Sequence, residues 1–155
     1  DGPDPDTFSY NQVLSALSRS SKPGAARLAE KLLNYMEDAY KMQIHRNAKP
    51  DVVGYTSVIV ALARSGETDA SERAEQIINS MKERYAAGES YMKPNRMSFN
   101  ALIDCWAKSG KGTYAARKAE ALLKEMEEMC AMGDSSVAPN CDVQCYPQLL
   151  GQEWD

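Results

Sequence analysis

A single histidine, two tryptophans, two phenylalanines and four cysteines are all that the 155 residues hold of several side chains on which chemistry or cross-linking often rests. The lone His45 falls in an irregular stretch between two apolar patterns, so nucleophilic catalysis by a Ser–His or Cys–His pair has no base within those patterns. The cysteines stand at 105, 130, 141 and 145, none as Cys-x-x-Cys. Cys141 and Cys145 are four apart with no second pair and no histidine nearby, so neither a zinc site nor a disulfide scaffold is expected, and a reducing compartment suits the chain better. No Gly-rich phosphate loop and no paired-carboxylate signature occur, so neither catalysis, metal nor cofactor is expected. No window approaches the roughly 18 apolar residues of a membrane span. Positive charge is not in excess either: 18 basic against 22 acidic residues give a net charge of −4. The chain begins at Asp1 without Met or an Arg-rich leader and ends at Asp155, fifteen residues past its last well-formed unit, as expected of a piece of a longer protein.

What is present is a repeat. Phe8-Ser-Tyr-Asn-Gln-Val-Leu-Ser-Ala-Leu17, Val53-Gly-Tyr-Thr-Ser-Val-Ile-Val-Ala-Leu62 and Met97-Ser-Phe-Asn-Ala-Leu-Ile-Asp-Cys-Trp106 align without gaps, each shortly after Pro5-Asp6, Pro50-Asp51 or Pro94-Asn95. A second trio follows: Ala29-Glu-Lys-Leu-Leu-Asn-Tyr-Met36, Ala74-Glu-Gln-Ile-Ile-Asn-Ser-Met81 and Ala119-Glu-Ala-Leu-Leu-Lys-Glu-Met126. Met36, Met81 and Met126 lie 45 apart, and the aromatic column Tyr10, Tyr55, Phe99 is spaced by 45 and 44.

Both trios have helical periodicity. Tyr10, Val13, Leu14 and Leu17 fall at i, i+3, i+4 and i+7, as do Tyr55, Val58, Ile59, Leu62 and Phe99, Leu102, Ile103, Trp106, which gives each first helix one apolar stripe. Ala29, Leu32, Leu33 and Met36 do the same for the second helix. The Asp or Asn after each proline is a natural N-cap, whose side chain accepts backbone N–H groups that lack partners. Ser65-Gly66 and Ser109-Gly110 are stops, as are Ser20-Ser21 and Pro23-Gly24 in the first unit. The Gly-, Ala- and Ser-containing linkers 86–93 and 131–138 read as exposed loops. One helix pair cannot bury its own apolar faces, so the pairs must stack. The expected fold is all-α, a right-handed solenoid of antiparallel helix pairs, with repeats over 5–50, 51–94 and 95–140 and a degenerate fourth start or tail over 141–155.

A unit reading Pro-Asp-x-x-x-Tyr-Asn-x-Leu-Ile, an apolar-Lys-Ser-Gly turn and Ala-Glu-x-Leu-Leu-x-x-Met resembles the pentatricopeptide repeat over residues 5–140. The spacing of 44 or 45 exceeds that family's customary length of about 35; the additions fall between helices or at helix ends, where insertion costs little. The resemblance implies binding of single-stranded RNA, one base per repeat. It places base reading on Asn11 with Asp51, Thr56 with Asn95, and Asn100 with Asn140, the fifth residue of each first helix with the last residue of its repeat. By the family's pairings these favour uridine, adenine and a pyrimidine. It further implies a base-sandwiching wall of Phe8, Val53 and Met97, and the basic column Arg19, Arg64 and Lys108 suits phosphates.

Plainer readings stand beside these. Asn or Asp at a helix start caps it, and a cation at a helix end complements the macrodipole. By segment the charge is +1 over 1–50, −2 over 51–95, 0 over 96–140 and −3 in the tail, so the repeats are near neutral. A protein-interaction solenoid, or the RNA-binding arm of a protein-only ribonuclease P-like nuclease, remains an alternative. For the first reading the expected partner is single-stranded RNA, with other proteins for the rival and no membrane. The resemblance implies a mitochondrion or plastid.

Overall fold

A computed structural model describes residues 3–138, and among them every regular element is helical. The first helices of the three units are α1 (Thr7–Arg19), α3 (Val52–Ser65) and α5 (Arg96–Lys108). The second helices are α2 (Ala25–Lys41), α4 (Ala70–Ala86) and α6 (Gly112–Ala131). Each first helix starts where the sequence puts its cap. Asp6, Asp51 and Asn95 are the N-cap residues, and Asn95 forms a reciprocal capping box with Ser98. Gly66 closes α3 with φ 69° in the left-handed region, which a side chain would strain.

Stacking follows the apolar columns. α1 packs on α3 and α3 on α5, whereas successive second helices barely touch. Between α2 and α4 this leaves an open groove of about 500 Å³. The first helices therefore form a tight inner line and the second helices a splayed outer one, the arrangement of an α-solenoid. The core is continuous through all three pairs, from Leu14 and Met36 through Ile59, Leu62 and Met81 to Phe99, Trp106 and Met126, all fully buried.

Charged side chains bridge the outer line. Glu30 pairs with Arg73, and one repeat later Glu75 pairs with Lys118 at 2.9 Å, the same two columns offset by one unit. Arg73 also holds Glu67 and Asp69, and Lys82 meets Glu125 at 2.6 Å.

Two expectations need correction. Val13, read as part of the packing stripe, is 51% exposed, while its counterparts Val58 and Leu102 are fully buried. Those two lie at the floor of the grooves between successive second helices, beside the preceding unit, and α1 has no preceding unit among the described residues. The linkers are not simply exposed loops. Met92, in a 3₁₀ turn over Ser90–Met92, and Val137, in another over Ser135–Val137, are completely buried, as is Ala48 in the first linker. Each stands two residues before the repeat proline and plugs the end of the core beneath its own helix pair.

Several carboxyls sit below their usual range. Lys111 holds down Glu72, Arg84 holds down Glu89 and Lys93 holds down Asp134, in each case chiefly through a side-chain hydrogen bond. A carboxyl whose folded pKa lies below its unfolded value adds stability that is complete above the unfolded pKa and lost as pH falls through the folded one. The melting temperature is therefore expected to be flat from neutrality to about pH 5 and to fall below about pH 4. The groups are solvent-accessible, so the loss should be smaller in high salt. Thermal melts over this pH range at two salt concentrations check it; a melting temperature that rises on acidification refutes it.

Candidate nucleic-acid interface

The middle first helix shows how little of the inner wall meets solvent. Both of its flanks are covered by α1 and α5, and the stripe Val53, Ser57, Val60, Arg64 remains at least partly accessible at i, i+4, i+7 and i+11. The equivalent start of the stripe in all three units is the apolar wall of the sequence reading. Phe8 is 68%, Val53 52% and Met97 68% exposed. Large apolar side chains this open, one per repeat in the same column, form a row of ledges.

At the other end of the same stripe stand Arg19, Arg64 and Lys108, all exposed in the last turns of their helices. Arg64 donates to the Ser18 carbonyl at 3.4 Å and Lys108 pairs with Asp104 at 2.6 Å. Each cation is eleven residues from its ledge, which returns it to the same face about 16 Å further along the axis. The ledge and the cation of one repeat are thus on one wall but at opposite rims.

Of the residues expected to read bases, Asn11 and Asp51 meet directly across the repeat boundary, although 40 residues separate them. Asn11 Nδ2 donates to Asp51 Oδ1 at 3.1 Å, and that oxygen also takes the backbone N–H groups of Val53 and Gly54 at 3.2 Å. The acceptor identifies the amide atom facing it as nitrogen. Asn11 Oδ1 is then buried without a partner. It points at Gly54, where a Cβ would stand 2.9 Å away, so the glycine makes the close approach possible. The capacity of the pair left unused among the described residues is a second Nδ2 hydrogen on Asn11 and the Oδ2 lone pairs of Asp51.

The second pair is built differently. Thr56 is only 7% exposed, and its hydroxyl lies 2.8 Å from Ser98 Oγ. Ser98 in turn contacts Asn95 Oδ1 at 3.3 Å. Asn95 Oδ1 accepts from Met97 N at 3.0 Å and Ser98 N at 3.2 Å, which leaves its Nδ2 unengaged among the described residues. Thr56 and Asn95 are therefore linked through Ser98 rather than directly, and Thr56 offers a small surface. Asn100 is exposed, and its expected partner Asn140 lies outside the described residues, as do Cys141 and Cys145.

Ser98 and Gly54 were not singled out by sequence reasoning. Their signal is the small-residue column Ser9, Gly54, Ser98, one place after the ledge, which permits the preceding repeat's fifth residue to approach.

Elsewhere the chemistry is quiet. Burial pushes the Cys105 thiol up to about 11, so it is not a ready nucleophile. His45 Nδ1 lies 2.8 Å from the Tyr10 hydroxyl in an aromatic cluster with Tyr35. Among the described residues no three His, Cys, Asp or Glu side chains gather as a metal site would require, and no helix is long and apolar enough to cross a membrane.

The sequence profile of the pentatricopeptide repeat domain matches residues 41–109, which span the end of the first unit, the whole second helix pair and α5. No curated protein and no solved structure matches the chain.

Proposed function

We propose, from the match of residues 41–109 to the pentatricopeptide repeat domain, that the chain binds single-stranded RNA along its inner wall, one base per repeat, without catalysing a reaction on it. A general RNA-binding role is what the family match supports. The finer reading is carried by one observation: donors and acceptors from the predicted columns meet at each described repeat boundary, directly for Asn11 and Asp51 and through Ser98 for Thr56 and Asn95.

In this reading a base rests against Phe8, Val53 or Met97 and turns its edge to the polar pair beside that ledge. Stacking on such a ledge contributes on the order of 1–3 kcal/mol per base where the side chain is aromatic. Asn11 with Asp51 offers a donor and an acceptor, which matches the N–H and carbonyl of uracil. The chain's preferred triplet is U-A-Y, read 5′ to 3′ from the first repeat. The cations at the far rim do not touch the phosphate of the base stacked in their own repeat. They lower the cost of bringing a polyanion to a near-neutral wall, so binding weakens steeply with salt. The process served is RNA processing, stability or translation in a mitochondrion or plastid.

Titration of short single-stranded RNAs containing U-A-U and U-G-U, followed by fluorescence anisotropy at about 50 mM salt, tests the reading. Tighter binding of U-A-U is expected. Equal affinities would remove the base-reading assignment, and retention of bound proteins after ribonuclease digestion of an extract would favour a protein-binding solenoid instead.

A further inference from the structure

Ser98 lies outside the residues given a role in base contact, yet it controls what one of them can present. Its side chain is completely buried between Thr56 of one repeat and the Asn95 cap of the next. Hydrogen placement in this trio is constrained. Asn95 Oδ1 receives two backbone N–H groups and is therefore the amide oxygen, an acceptor only. Ser98 Oγ receives the Asn95 backbone N–H at 3.3 Å. Two hydroxyl protons remain. If Thr56 donates to Ser98 and Ser98 donates to Asn95 Oδ1, both are used. If Ser98 donates to Thr56 instead, the Thr56 proton has no other acceptor among the described contacts, in a residue that is almost fully buried. The first arrangement makes one more hydrogen bond within the protein, to Asn95 Oδ1, so the chain of donation runs Thr56 to Ser98 to Asn95.

That direction fixes the polarity of the reading pair. Thr56 is left with only lone pairs to offer and Asn95 with only its Nδ2 hydrogens. In the first repeat the same columns have the opposite sense: Asn11 presents a hydrogen and Asp51 presents Oδ2. Uracil and guanine show a carbonyl acceptor beside an N–H donor, whereas adenine shows an amino donor beside a ring-nitrogen acceptor. If successive bases meet successive repeats in one orientation, the columns that match a keto edge in the first repeat match an amino edge in the second.

We infer that Ser98 is a specificity-determining positioning residue, which by holding the Thr56 hydroxyl as an acceptor makes the second repeat choose adenine over guanine. This rests on the base-reading function proposed above. Removing the Ser98 hydroxyl frees the Thr56 proton to turn outward, where it can serve a guanine carbonyl. The gain for guanine, or the loss of discrimination, is the value of about one hydrogen bond.

The test compares three whole chains, the unaltered protein, Ser98→Ala and Ser9→Ala, by anisotropy titration with U-A-U and U-G-U RNAs. Ser9 occupies the same column and bonds the Asp6 cap in the same way, but touches no reading residue. The ratio of the two affinities is expected to fall by about three- to tenfold in Ser98→Ala and to stay unchanged in Ser9→Ala. A merely structural role for Ser98 would weaken both RNAs equally and leave the ratio intact. A clear U-A-U preference in the unaltered chain that persists in Ser98→Ala overturns the assignment to Ser98 while leaving the base-reading function standing. No preference in the unaltered chain overturns both.

Discussion

Trp106→Ala is expected to destabilise the protein by about 3–5 kcal/mol, the usual range for removing a large aromatic side chain from a closed core. The ring is fully buried, meets Tyr114 edge-on at 5.6 Å and lies under Lys111 and Lys118 at 5.6 and 5.5 Å. It fills the column that Leu17 and Leu62 fill in the earlier units. Alanine there leaves a cavity between α5 and α6, while the contacts between α1 and α2 do not involve it. Because a repeat array is stabilised by neighbour-to-neighbour terms, the loss should be greatest in the third pair. Denaturant melts together with amide exchange in α6 read this out. Trp106→Phe separates volume from polarity: the indole Nε1 is buried without a partner, so phenylalanine removes an orphaned donor and should cost much less than alanine. Equal losses from the two variants would refute this account of the site.

Removing the ledges is the change expected to act most strongly on RNA. Phe8→Ala, Val53→Ala and Met97→Ala combined should weaken binding of a U-A-U RNA at least tenfold, with Phe8 the largest contributor because its ring can stack face to face. All three side chains are at least half exposed, so the fold should lose little, and the melting temperature serves as the internal check. Unchanged RNA affinity in a folded triple variant would remove the wall from the interface.

How much of this was legible in the sequence depends on the range of the interaction. The caps Asp6, Asp51 and Asn95 are local decisions, made within three residues, and the prolines before them mark the places. The stacking columns are periodic, so each repeat corroborates the others. Val13 misled because its type matches Val58 and Leu102, and only the presence of a neighbouring helix separates buried from exposed. Met92 and Val137 lie in segments whose Gly, Ala and Ser suggest solvent, and a single apolar residue carries no period. The Thr56–Ser98 bond joins residues 42 apart, one from a base-reading column and one from a column with no expected task. Nothing local marks it except the recurrence of small residues at that place.

The contrast between inner and outer lines also has a mechanical side. Inner helices interlock through close-packed apolar side chains, whose attraction drops by about a quarter to a half when a gap of about 0.5–1 Å opens, so that line resists lengthening. The outer helices are spanned by Glu30–Arg73 and Glu75–Lys118, charge pairs whose pull declines gradually with separation and weakens as electrolyte rises. A strip stiff along one edge and compliant along the other bends before it stretches, so the molecule can tighten or relax its curl while the rise between neighbouring ledges stays nearly constant.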